Sequence, residues 1–133
     1  MVYEALDVFF LLFHTAIILF NMFGWMWRRT RRYNWYLLMA TAVSWGVLGI
    51  WYGFGYCPCT DWHWQVLEKL DRYPNTPSYI EYLVERLVGV DISYHTANTA
   101  TLWIFLLLVS ISTYVNWKDY FKNVKNKLNN MLI

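Results

Sequence analysis

A chain of 133 residues has room for one compact unit, and 58% apolar with 21% aromatic content does not by itself separate a soluble from a membrane protein. Charge placement is more selective. Eight of the eleven Lys and Arg fall in two clusters, Arg28 to Arg32 and Lys118 to Lys127, each beside an apolar run. A net charge of +2, so clustered, does not suggest a nucleic-acid binder.

The first predicted element is a membrane span over residues 5–27. About 20 uncharged residues follow Asp7, enough to cross ~30 Å of hydrocarbon. Glu4 and Asp7 stand where a cleaved signal would be basic, and no A-x-A-like site follows, so the segment reads as a retained span. Asp7, His14 and Asn21 recur every seven residues and therefore form one polar stripe. Such a stripe is costly in lipid and should face other helices. His14 reads either as the centre of a ligand or proton site, or as a neutral ring bonded to a nearby carbonyl or hydroxyl such as that of Ser44. Asn21 reads as interhelical glue.

The Arg28–Arg32 loop leads into a second, uncharged span over 35–56. Ala42, Gly46, Gly49 and Gly53 are spaced four, three and four apart, a small-residue face that should let another helix approach closely, within the chain or in a dimer.

The segment 58–96 holds all three prolines (Pro58, Pro74, Pro77) and six acids against Lys69, Arg72 and Arg86. It reads as two short amphipathic helices lying on the bilayer surface or folded back as a lid. His63, Val66, Leu67 and Leu70 share one face of the first; Ile80, Leu83, Val84, Leu87 and Val88 share one face of the second. Thr60 or Asp61 is the expected cap of the first helix. Ser78 with Glu81 forms a capping box for the second, in competition with Thr76-Pro77, and Gly89 ends it. Glu68, Glu81 and Glu85 read as solvated, with Arg86 beside them. Cys57-Pro58-Cys59-Thr60 reads as a turn. Its two thiols could also join His63 and His95 as a soft-metal cluster or close a small disulfide ring.

A third uncharged span is predicted over 97–117, with a basic tail over 118–133. Trp25, Trp27, Trp35, Trp51, Trp103 and Trp117 fall near span ends, as amphipathic rings do. Both basic clusters can face the cytoplasm only if the N-terminus is outside and the C-terminus inside, which puts 58–96 on the outer side. The sequence carries no nucleotide loop, no H-E-x-x-H and no G-x-S-x-G.

The run Gly55-Tyr56-Cys57-Pro58-Cys59-Thr60 resembles the C-P-L-T turn of a prokaryotic membrane family of unknown function, domain of unknown function 2784. His14 in the first span and Trp45 in the second are similar to that family's His and Trp. Tyr79-Ile80-Glu81-Tyr82-Leu83 resembles its F-I-E-H-Y-L stretch, and Asp61-Trp62-His63-Trp64-Gln65 its Bacteroidetes-type branch. The chain departs from the family at Cys59, where Leu is usual, and at Tyr82, near its second His. The resemblance implies architecture and no activity.

Together these readings predict an all-α membrane protein forming a single unit over 1–133, with three transmembrane helices and an extracytoplasmic pair of short helices, in the cytoplasmic (inner) membrane. The polar residues to watch inside the membrane are Asp7, His14, Asn21, Ser44 and Trp45. The expected function is that of a non-enzymatic accessory or structural component, without a cofactor, whose partners are the lipid bilayer and another membrane protein or a second copy. The alternative is a redox or metal-handling protein holding haem, quinone or a metal through His14 and Cys57.

Overall fold

The computed structural model describes residues 1–133 and contains helices only. α1 is Val2–Phe23. α2 (Arg31–Val43) passes through a π-helical turn, Ser44–Leu48, into α3 (Gly49–Tyr52). α4 is Pro58–Lys69, α5 Tyr79–Val88 and α6 Tyr94–Leu132. α1, the α2–α3 helix and α6 are each long and apolar enough to cross a membrane. The distribution of side chains agrees: Ile50, Trp51, Trp103 and Leu107 are open to the surroundings, whereas Asp7, His14, Asn21, Asn34, His63 and Ser112 are buried. Apolar groups meet lipid at no cost, so the interior can be given to polar groups that bond one another.

The second span ends at Tyr52, short of the expected boundary at 56. Gly53 (φ 104°) and Gly55 (φ 88°) take conformations that disfavour a Cβ, and the chain reverses there. Phe54 folds onto Gly49, and the Tyr56 carbonyl accepts a 2.8 Å hydrogen bond from Ser44 Oγ. Ser44 lies eight residues before Tyr52, roughly 12 Å back along the helix. The connection is thus re-entrant, and α4 begins beside the second span instead of beyond its end.

This reversal corrects the reading of the small-residue face. A Cβ on Gly49 would meet the Cα of Phe54 at 3.2 Å, so Gly49 makes room for the returning turn. Gly46 has nothing within 4 Å of such an atom, and Gly53 is needed for its positive φ. Gly46, Gly49 and Gly53 therefore do not continue from Ala42 as a helix–helix seam within the chain. The close approach lies elsewhere. A Cβ on Gly24 would sit 3.0 Å from Asn34 Cβ. Asn34 Nδ2 donates to the carbonyls of Phe20 (2.8 Å) and Asn21 (3.2 Å), closing the C-terminal turn of α1, and its Oδ1 accepts from Ser112 Oγ of α6 (2.9 Å). One fully buried amide thus ties the three spans together.

The α4 cap differs from expectation, whereas the Ser78 and Gly89 ends of α5 are as expected. α4 opens with Pro58 at its first position after an extended Cys57, so Thr60 and Asp61 lie inside its first turn. Ser78 is the cap of α5, accepting from the Glu81 N–H at 3.4 Å, while the Glu81 carboxylate accepts from Thr76 Oγ1 at 2.6 Å. Gly89 ends α5 in the left-handed conformation. α6 is a single helix of 39 residues, ~58 Å long at 1.5 Å per residue, so the basic tail continues the third span as helix well past ~30 Å of hydrocarbon.

Candidate functional site

Seven-residue spacing turns Asp7, His14 and Asn21 to one side of α1, and they are the buried residues of that helix. Asn21 donates to Thr41 Oγ1 of α2 at 3.3 Å. Asp7 and His14 face the α4–α5 hairpin. Trp64 and Leu67 of α4 and Tyr79 and Leu83 of α5 form an apolar cluster against Leu11 and Ile18 of α1, and the polar contacts lie beside it.

His63 of α4 is fully buried between two partners. Its Nε2 is 2.8 Å from Asp7 Oδ1, and its Nδ1 is 2.9 Å from the Tyr79 hydroxyl. An ionised carboxylate only accepts, so Nε2 carries the proton and Nδ1 accepts from the Tyr79 O–H. The remaining side of Asp7 is taken by Arg86, whose Nη1 donates to Oδ1 (2.7 Å) and Nη2 to Oδ2 (2.9 Å). This is the two-pronged geometry a guanidinium gives a carboxylate. Arg86 Nη1 also donates to the Tyr82 hydroxyl, and its guanidinium carbon lies 5.7 Å from the Tyr82 ring centre.

The protonation states are mutually consistent. Burial lowers the pKa of His63 despite the Asp7 carboxylate beside it, which keeps the ring neutral. Burial raises the pKa of Tyr79, so it keeps the proton it donates. Hydrogen bonding to Asp7 raises that of Arg86 further, and the cation persists. The result is a chain Tyr79–His63–Asp7–Arg86 with one anion, one cation and two neutral groups.

His14 lies under this chain. Its ring stacks on Tyr79, with centroids 3.9 Å apart and planes 19° apart, and its Nδ1 is buried with no hydrogen-bond partner. Ser44 does not reach it, because that hydroxyl holds the Tyr56 carbonyl. Trp45 packs against Phe54 and Phe105. The polar set Asp7, His14, Asn21, Ser44, Trp45 is therefore split into an Asp7–His14 centre under the hairpin, an Asn21 contact to α2, and a Ser44–Trp45 patch at the re-entrant turn.

The cluster of Cys57, Cys59, His63 and His95 does not assemble. Both nitrogens of His63 are engaged, and the exposed His95 bonds Thr99 one turn along α6 (3.0 Å). No three His, Cys, Asp or Glu side chains converge in an arrangement that could hold a metal ion. Cys57 and Cys59 are free thiols, and burial raises the pKa of Cys59.

Sequence reasoning missed Tyr79, Tyr82 and Arg86. It assigned α5 an aliphatic inner face, but Leu87 and Val88 are exposed, and the face that docks is Tyr79, Tyr82, Leu83 and Arg86. A signal was present. Tyr79 and Arg86 are seven apart, as are His14 and Asp7, so two antiparallel helices bring them together in two matched pairs, His14 with Tyr79 and Asp7 with Arg86.

Residues 4–117 match the family described as a protein of unknown function, DUF2784. The chain belongs to that family. No curated protein and no solved structure matches. The matched stretch of this DUF2784 protein takes in all three spans, the re-entrant turn and every residue of the buried centre. It stops at Trp117, before the basic extension of α6.

Proposed function

We propose that this DUF2784 protein is a non-enzymatic, multi-pass accessory component of the cytoplasmic membrane, in which the α4–α5 hairpin is a fixed lid latched to α1 on the outer side. One observation carries this reading: Tyr79, His63, Asp7 and Arg86 spend their polar atoms on one another across three helices. The ionisable groups that catalysis would draw on are committed to holding the lid. The exposed apolar faces of the spans are left for lipid and for a membrane-protein partner or second copy.

The orientation rests on charge. The α1 start has Glu4 and Asp7, whereas Arg28–Arg32 and the Lys118–Lys127 extension lie at the opposite end of the spans. Impermeant thiol labelling of intact cells tests it, using Asn75→Cys or Thr30→Cys in a chain with Cys57 and Cys59 replaced by Ser. Labelling at 75 and not at 30 is expected; the reverse pattern overturns the topology.

A second reading is favoured by the unpartnered His14 Nδ1. It makes His14 the hydrogen-bond partner or ligand of a haem, quinone or metal. The visible spectrum of the purified protein, with metal and quinone analysis, separates the two. A chromophore or metal that disappears in His14→Phe, with the melting temperature kept, replaces the first reading by the second.

A further inference from the structure

The opposite end of the bundle carries a second feature that neither the lid nor the buried centre uses. Between the α1–α2 loop, the start of α2 and the middle of α6 lies a cleft of about 780 Å³. Its lining includes Arg28, Arg29, Arg31 and Arg32 and a single acid, Asp119, so its formal charge is 4 − 1 = +3. Trp35, Tyr36, Trp117 and Tyr120 supply its aromatic walls.

The cleft has a rigid half and an unpaired half. Arg31 donates from Nη1 to Asp119 Oδ2 (2.9 Å) and from Nε to the Trp25 carbonyl (2.9 Å), which neutralises the acid and fixes one wall. Trp35 Nε1 donates to Thr113 Oγ1 (3.1 Å), and Asn116 Nδ2 to the carbonyls of Arg31 (3.1 Å) and Ser112 (2.8 Å), so the base is fixed as well. Arg28, Arg29 and Arg32 are exposed and form no ion pair with any carboxylate. Like charges brought to one rim repel, and no carboxylate of the chain offsets these three.

Position says what kind of anion. Arg31 opens the second span, and Trp117 closes the uncharged part of α6 before Lys118. The cleft therefore lies at the level where hydrocarbon gives way to water, with aromatic rings at headgroup depth. Guanidinium groups suit phosphate oxygens, which they can bind with two parallel hydrogen bonds. A basic pocket between transmembrane helices at this depth fits a lipid phosphate whose acyl chains descend along the helices.

We propose that this cleft is a binding site for the phosphate headgroup of an anionic glycerophospholipid, held by Arg28, Arg29 and Arg32 against the Trp35–Trp117 wall. Inorganic phosphate shares the charge and lacks the acyl chains that would lie on the exposed rings of Tyr36 and Trp117. The lipid is therefore the occupant. The inference does not depend on the function proposed for the lid.

Native mass spectrometry of the detergent-purified full chain tests it, with phosphatidylglycerol as the probe and phosphatidylcholine of the same acyl chains as the neutral comparison. Saturable retention of phosphatidylglycerol in preference to phosphatidylcholine is expected. R28Q/R29Q/R32Q should weaken it on the order of 100-fold, about a factor of five per cation at an anionic lipid surface. K122Q/K125Q/K127Q removes the same charge from the α6 extension and should leave it within about twofold, since these lysines lie outside the cleft. Should the triple arginine variant not fold, R28Q/R32Q carries the same test with a loss of about 25-fold. Equal retention of the two lipids, equal losses in the arginine and lysine variants, or displacement of phosphatidylglycerol by equimolar inorganic phosphate each overturns the proposal.

Discussion

Separating Asp7 from Arg86 is the perturbation that bears most directly on the latched lid. Asp7 is 3% exposed and the Arg86 side chain 31%. Two charge-assisted hydrogen bonds of about 1.5–3 kcal/mol each give a gross contribution of about 3–6 kcal/mol. Arg86 recovers hydration when released and Asp7 does not, so the two ends are unequal. Asp7→Asn keeps an oxygen for His63 and frees a guanidinium that can turn to solvent, costing about 2 kcal/mol. Arg86→Gln strands a buried carboxylate against a neutral imidazole and costs more, about 3 kcal/mol. The double variant has no charge left to strand. It should fall well short of the sum, with a coupling energy of about 2 kcal/mol in a double-mutant cycle. Equilibrium unfolding of the four proteins in one detergent measures this. Strict additivity of the two losses would refute the claim that the pair acts as one latch.

Three further outcomes follow from the same geometry. Gly49→Leu should cost on the order of 1–3 kcal/mol by forcing the Phe54 turn outward, while Gly46→Ala, with open space around it, should stay within about 0.5 kcal/mol; equal effects in thermal melts would remove the re-entrant contact. The depressed pKa of His63 means the folded state takes up a proton less readily than the unfolded chain, so its contribution is complete above about pH 6.5 and is lost as pH falls below that value. Melting temperatures between pH 7.5 and 5 should drop in the parent and drop less in His63→Gln; identical profiles would place the titration elsewhere. His14→Phe keeps a ring on Tyr79 and removes an unpartnered nitrogen, so stability should hold or rise, whereas His14→Ala should lose ~1 kcal/mol or more of stacking and packing. A large loss in His14→Phe would reveal a hydrogen bond made through His14.

Much of the architecture was legible from residues alone because its causes are local. An uncharged run of span length needs no partner to be recognised: crossing a bilayer demands length and apolarity, and both are written consecutively. The same holds for the family likeness, for the Ser78 cap with Gly89, and for the seven-residue stripe of Asp7, His14 and Asn21. Gly46 and Gly49 were less transparent. Spacing put them on one face, but whether a helix, a turn or lipid meets that face depends on where Gly53 and Gly55 send the chain.

The buried centre lies at the far end of that scale. Sequence pattern ranks a helix face by its apolar content, and by that measure Ile80, Val84 and Leu87 should have turned inward on α5. Lipid on the outside reverses the preference: aliphatic side chains lose nothing by facing it, while Arg86 and the hydroxyls of Tyr79 and Tyr82 gain by reaching Asp7 and His63. Composition and periodicity thus determined that this chain enters the membrane three times and where its polar stripe lies. Only the tertiary structure decided what the stripe binds. His63 and Arg86 lie 56 and 79 residues along the chain from Asp7, and no local rule connects groups that meet only after a re-entrant turn has brought α4 and α5 back against α1.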